Sequence, residues 1–222
     1  MNLQPLILTF QLAAVTSFLL FFITLPVAYW LAFAKTRWKV IVEVIVSLPL
    51  VLPPTVLGFY LLLVFSPNQG LGKWLAETIG VQLVFSFEGL VFASILYSLP
   101  FMVQPIQAGF TNLSPSLKEA AYVLGKSRWE TLWRVLLPNI KPALLTGIVL
   151  SFAHTIGEFG VVLMIGGNIP GVTKVASIAI YDEVESLNYA AAHLYSGVLL
   201  VITFVILLVV YLFRNKNERK YK

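Results

Sequence analysis

The chain has no cysteine, only two histidines and only ten acidic residues among 222. The missing cysteines exclude disulfides, thiolate metal sites and cysteine nucleophiles. Charged residues make up 11% of the chain, against about 25% in soluble domains. That shortage leaves no stretch for a soluble domain of ordinary size, and no segment reads as a catalytic module. No Gly-x-x-x-x-Gly-Lys-Ser/Thr loop occurs, so no phosphate cradle for a nucleotide is encoded. Zinc proteolysis needs two histidines at helical spacing, whereas His154 and His193 fall in different apolar stretches. What fills the chain is apolar: 59% of residues are hydrophobic, and mean hydropathy is +0.88. These values predict an all-α, polytopic membrane protein.

About 20 apolar residues cross a bilayer. Five stretches qualify, roughly 7–34, 41–65, 87–110, 142–166 and 193–213. The first has no basic residue before it and is too long for a signal-peptide core, so it is expected to remain as an uncleaved span. Thirteen of the fifteen lysines and arginines fall in three places: Lys35–Lys39, residues 114–141, and the stretch from Arg214 to Lys222. The gaps 66–86 and 167–192 hold one lysine each, Lys73 and Lys174, the latter beside Asp182, Glu183 and Glu185. The positive-inside rule puts the three basic places in the cytoplasm, with the N-terminus outside and the C-terminus inside. The net charge of +5 then reflects basic cytoplasmic segments, and nucleic acid is not an expected partner.

Residues 114–141 form a charged island in this apolar chain. Ser114 can cap a helix whose first turn holds Pro115, and Ser116 with Glu119 has capping-box spacing, which would start it two residues later. Gly125 can end that helix with φ > 0, and a second helix is expected from Ser127 to about Leu137, stopped by Pro138. A helix–glycine–helix elbow between spans calls for something that docks on it. The elbow reads Glu119-Ala120-Ala121, three residues, Gly125, nine residues, then Val135-Leu136-Leu137-Pro138. This resembles the Glu-Ala-Ala loop of ABC importer permeases, with Val135 in place of their isoleucine. The resemblance implies that 114–138 is a coupling element seated in a cleft of a cytoplasmic ATPase, and that Glu119, Ala120, Ala121, Gly125, Leu137 and Pro138 shape it. An ordinary amphipathic linker is the plainer reading of the same residues.

Three prolines, Pro49, Pro53 and Pro54, stand within six residues of the second span. They preclude one regular helix, and irregular backbone near the bilayer midplane is tolerated only where it lines a cavity or is packed by protein. A new helical half starting at Pro53 or Pro54 would aim its N-terminal N–H groups, from Thr55 onward, at an anion; a kink without a ligand is the alternative. Pro100 and Pro105 repeat the theme in the third span, where Gln104 and Gln107 share a helical side. Gln104 either faces a pathway or bonds a neighbouring helix. In the fourth span Gly147, Ser151, His154 and Glu158 are spaced 4, 3 and 4. A continuous helix puts them within about 60° of arc, with His154 and Glu158 in bonding range. Polar stripes of this kind line a pathway or face the bundle interior.

Three further stretches resemble one branch of that family: Ser47–Gly58, Gly157-Glu158-Phe159-Gly160, and Gly167-Asn168-Ile169-Pro170-Gly171 followed by Thr173 and Ala179-Ile180-Tyr181. The second resembles oxyanion importers, and the third is closer to molybdate than to sulfate permeases. His154 departs from the resemblance, which leads one to expect arginine there. The resemblance implies a permease in the cytoplasmic membrane that is not itself an enzyme and binds no cofactor. Two copies would form the pathway, a pair of ABC ATPases would hydrolyse ATP, and an extracytoplasmic molybdate-binding protein would deliver the anion to the outer gaps. Sulfate, thiosulfate and tungstate are the alternative cargoes. Outside that class stand an ATP-independent anion carrier, which leaves the elbow unexplained; an intramembrane enzyme, for which Ser151 and His154 make no complete arrangement; and a purely structural subunit.

Overall fold

Apolar periodicity, proline placement and turn chemistry translate into a chain of helices, seen in a computed structural model that describes residues 2–68 and 70–218. The expected tail cations Arg219, Lys220 and Lys222 lie outside the described residues. The long helices are α1 (Gln4–Phe33) and α2 (Trp38–Val51), then α3 (Pro54–Val64). A short α4 (Gly70–Trp74) continues into a π turn, Leu75–Ile79, ahead of α5 (Phe87–Thr111). The elbow comprises α6 (Pro115–Val123), α7 (Arg128–Thr131), a π turn over Leu132–Leu136, and α8 (Leu137–Asn139). The chain then runs through α9 (Lys141–Gly157), α10 (Gly160–Gly166), α11 (Ala176–Glu185) and α12 (Tyr189–Glu218).

Helices α1, α5 and α12 are each long and apolar enough to cross a membrane. Two bent pairs raise the number to five when each counts as one span: α2 with α3, bent by 111°, and the α7–α8 segment with α9, bent by 75°. The α2–α3 break falls where prolines were expected to break it. Leu52 and Pro53 are extended, and Pro54 opens α3. Pro49 stays inside α2, as a buried residue of a continuing helix. The same expectation fails for α5, which runs unbroken through Pro100 and Pro105. Packing holds it there, because Met102, Val103, Ile106 and Phe110 are fully buried and tertiary contact outweighs the local proline penalty.

The core has two halves along α5. One gathers Leu20, Leu31, Met102, Ile106 and Phe110 with Leu136, Leu137 and Ile140 from the elbow. The other gathers Leu12, Leu61, Leu90, Val161 and Ile165. The gap 167–192 is not an open loop. The Thr9 hydroxyl accepts a 2.7 Å bond from the Ala176 N–H, α11 buries Ala176, Ile178 and Ala179, and Lys174 pairs with Asp182. The outward faces of α2 and α12 carry exposed Ile41, Val44, Ile45, Leu200, Phe204 and Leu208, as suits surfaces bathed in lipid or covered by another membrane helix.

Candidate functional site: an elbow and a polar seam

Two places carry the residues singled out from sequence. The first is the elbow. Gly125 has φ 74°, in the left-handed region. Its N–H donates to the Tyr122 carbonyl at 2.9 Å, and the Lys126 N–H donates to the Ala121 carbonyl at 3.0 Å. This pair of bonds is the Schellman ending of α6. The helix starts at Pro115, the earlier of the two starts the sequence offers, but the Ser114 side chain caps no backbone group and bonds the Ser116 hydroxyl instead. No capping box forms between Ser116 and Glu119. The box sits one helix later, where the Glu130 N–H donates to Ser127 Oγ (3.2 Å) and the Ser127 N–H donates to Glu130 Oε2 (3.4 Å). Lys126 and Arg134 flank the same carboxylate at 3.4 and 3.7 Å. The Ser127 backbone bond, and after it Lys126, holds the Glu130 carboxyl below its ordinary pKa. Its contribution to α7 is therefore present above the ordinary carboxylate range and is lost as pH falls through the depressed value.

Pro138 does not stop the second helix, contrary to the expectation from sequence. The backbone widens first. The Leu137 N–H bonds the Leu132 carbonyl five residues back, so the π turn immediately precedes Pro138, which itself lies in α8. The chain redirects at Ile140 before α9. Glu119, Ala120, Val123 and Leu124 form one exposed face of α6, with Val123 86% and Leu124 77% exposed. Ala121 and Leu137 are buried within the chain itself, whereas Pro138 is exposed.

The second place is where the broken helices meet. Gly160, which opens α10, lies against α3. A Cβ there would stand 2.8 Å from Pro54 Cβ and 3.4 Å from the Thr55 nitrogen. The two interruptions, at Leu52–Pro53 and at Glu158–Phe159, are therefore packed against each other. Pro53 and Thr55 are exposed on this side and Pro54 is half-buried.

The stripe expected on one continuous helix is corrected here. Helix α9 ends at Gly157, and Glu158 is extended at φ −68°, ψ 133°. Gly147, Ser151 and His154 share the helix, while Glu158 leaves it and bonds no histidine. Its backbone carbonyl accepts from Ser177 Oγ at 2.6 Å, which ties the break to α11. Its carboxylate is buried beside the Ser94 hydroxyl. His154 is half-buried, stacked on Phe101 with ring centroids 3.9 Å apart and flanked by Tyr97 at 5.0 Å. Ser151 is fully buried. Side-chain atoms of Ser94, Ser151, His154 and Glu158 are all buried without a hydrogen-bond partner among the described residues. Buried polar atoms are normally paired, and among the described residues Thr16 and Ser17 of α1 carry unpaired buried hydroxyls as well.

Sequence reading missed the α5 side of this seam. Ser98 and Thr155 bond each other at 3.1 Å and are both buried, and Ser94 faces Glu158. Small hydroxyls are common in membrane helices, so composition offered no signal. Gln104 lies apart from the seam. It is exposed and donates to Ser47 Oγ at 3.3 Å, while Gln107 donates to Glu43 Oε1 at 2.7 Å. Both amides bond the neighbouring α2.

The chain is similar to known proteins over its whole length. The model of a family described as binding-protein-dependent transport system inner membrane component matches residues 24–221. The molybdenum transport system permease protein ModB of Azotobacter vinelandii is 44% identical over 222 residues, covering 100% of this chain and 96% of that protein. A probable sulfate transport system permease protein of Chlorella vulgaris is 36% identical over 213 residues, covering 96% of this chain and 78% of that one. Among solved structures, a bacterial ABC transporter involved in alginate import superposes with a TM-score of 0.74 at 21% identity, covering 98% of this chain and 79% of its counterpart. At that identity the likeness concerns the fold.

Proposed function

The chain belongs to the binding-protein-dependent transport system inner membrane components, and from that membership we propose that it is the permease subunit of an ATP-driven molybdate importer. The observation that carries the cargo is the 44% identity with a molybdenum permease along all 222 residues. The sulfate relative is less similar and less completely covered. The expected result is that cells lacking this chain regain uptake of labelled molybdate when it is restored, with tungstate competing more strongly than sulfate. Restored sulfate uptake without molybdate uptake overturns the cargo.

The division of labour follows from chemistry. No nucleotide loop is encoded, so ATP is hydrolysed by a partner ATPase and no cofactor is assigned to this chain. The exposed face Glu119-Ala120-Val123-Leu124 supports docking, since two neighbouring bare aliphatic side chains beside a carboxylate suit a covered surface. In this reading two copies of the chain form the pathway and two ATPases grip the two elbows. An external binding protein presents the anion to residues 66–86 and 167–192. The pathway runs past Pro53, Pro54 and Thr55 and the Ser151–His154–Glu158 seam. None of the spans offers a lysine or arginine at its centre, so backbone N–H groups at the start of α3, hydroxyls and the imidazole are the available partners for an oxyanion.

Orientation has its own test. A reporter active only in the cytoplasm is expected to work when fused after Arg37, Arg128 or Lys216 and to stay silent after Asn68 or Val184. The reverse pattern would put the elbow on the wrong side for an ATPase.

A further inference from the structure

A cavity of about 840 Å³ lies outside the polar seam. It lies between the last three turns of α1, from Phe22 on, and the elbow. Trp30 and Phe33 line it from α1, Trp129 and Trp133 from the second elbow helix, and Lys118 and Arg128 supply the only charges. Three of the chain's five tryptophans therefore surround one groove. Trp129 and Trp133 are 72% and 55% exposed. The Lys118 ammonium stands 4.4 Å from the centre of the Phe33 ring, so its stem crosses apolar wall while its charge reaches the rim. Neither cation has an acidic partner among the described residues, whereas Lys126 and Arg134 close by are both paired with Glu130.

We propose that this groove binds one anionic phospholipid, with acyl chains against the tryptophans and the phosphate between Lys118 and Arg128. Three observations commit the occupant. The apolar wall ends where the chain leaves the membrane, since α1 stops at Phe33 and the charged elbow begins. Tryptophan concentrates at that depth of a bilayer. Two cations without acidic partners at the mouth complement an anionic headgroup rather than a zwitterionic one, and each cation near such a surface favours binding by about fivefold. The volume lies within the roughly 300–1,000 Å³ of sites that enclose most of a small ligand, enough for a headgroup and the upper part of its chains. A lipid seated there touches α1 and the element between α6 and α9 at once, and so ties the elbow to the leaflet.

The placement at the cytoplasmic leaflet rests on the orientation proposed above, but the binding measurement does not. The permease–ATPase complex, extracted in detergent, is incubated with phosphatidylglycerol or phosphatidylcholine and examined by native mass spectrometry. Phosphatidylglycerol adducts on the permease are expected to outnumber phosphatidylcholine adducts, and Lys118→Gln with Arg128→Gln is expected to cut them about 25-fold. Ala34→Phe, which fills the groove and keeps both charges, is expected to remove them as well. Equal adducts of both lipids, or adducts undiminished in both variants, overturn the site. Loss of ATPase co-purification in the double variant, with adducts unchanged, assigns the groove to the ATPase instead. Failure of the permease reading would show as no ATPase in the wild-type preparation, while adducts on the permease could still be counted.

Discussion

Replacing Gly125 with leucine is expected to abolish uptake and to release the ATPase, while the membrane helices stay packed. The cause is backbone geometry, not crowding. A Cβ at Gly125 would meet nothing within 4 Å, but φ is 74°. A side chain in that region costs about 1–2 kcal/mol. The strain falls on the two bonds that end α6, from Gly125 to Tyr122 and from Lys126 to Ala121. Relaxing them rotates Glu119, Val123 and Leu124 relative to α7. The damage should stop there, because the core residues Phe110, Leu136 and Ile140 lie outside that turn. Gly125→Asn is the informative companion, since asparagine tolerates the left-handed conformation; it should keep most of the transport that leucine loses. Glu119→Lys attacks the same face by charge and leaves the turn intact, and it should also uncouple uptake. Uptake at the wild-type rate in the Gly125→Leu, Glu119→Lys double variant sinks the coupling assignment.

How much of this was legible in the sequence depends on the range of the physics. The start of α6 was legible only as a choice between Pro115 and a position two residues later, whereas the turn at Gly125 and the break at Pro53–Pro54, set by residues within four positions of each other, were legible in full. The break at Glu158 was not. No proline marks it, and Gly157 and Gly160 do not end a helix by themselves. It depends on the close approach of Gly160 to Pro54, a contact between positions about a hundred residues apart. The π turn before Pro138 escaped for a related reason: proline predicts a stop, whereas the buried Leu136 and Leu137 keep the segment docked while its hydrogen bonds lengthen by one residue. Pro100 and Pro105 show the same override inside α5. The α5 half of the seam and the aromatic groove assemble from distant segments, and no window along the chain contains either.

His154→Leu is expected to cut uptake roughly tenfold or more, the effect of losing a hydrogen bond to a charged group worth about 1.5–3 kcal/mol. Leucine is apolar and can occupy the space against Phe101, so assembly should survive. His154→Arg should retain more transport than leucine. A guanidinium is planar, stacks on aromatic faces and carries a permanent charge, and Phe101 already presents its face to the imidazole at 3.9 Å. An intact binding protein would still hold the anion, so the defect belongs to transport and not to capture. Glu158→Gln tests the neighbouring break. The Glu158 carbonyl that accepts from Ser177 is unchanged by the substitution, so α9, α10 and α11 should keep their arrangement. What changes is the buried carboxylate beside Ser94, and the expected result is ATP hydrolysis that no longer tracks uptake. Normal transport by a stably assembled His154→Leu complex would mean that the imidazole only fills space between Tyr97 and Phe101, and the pathway would then have to run elsewhere than this face of α9.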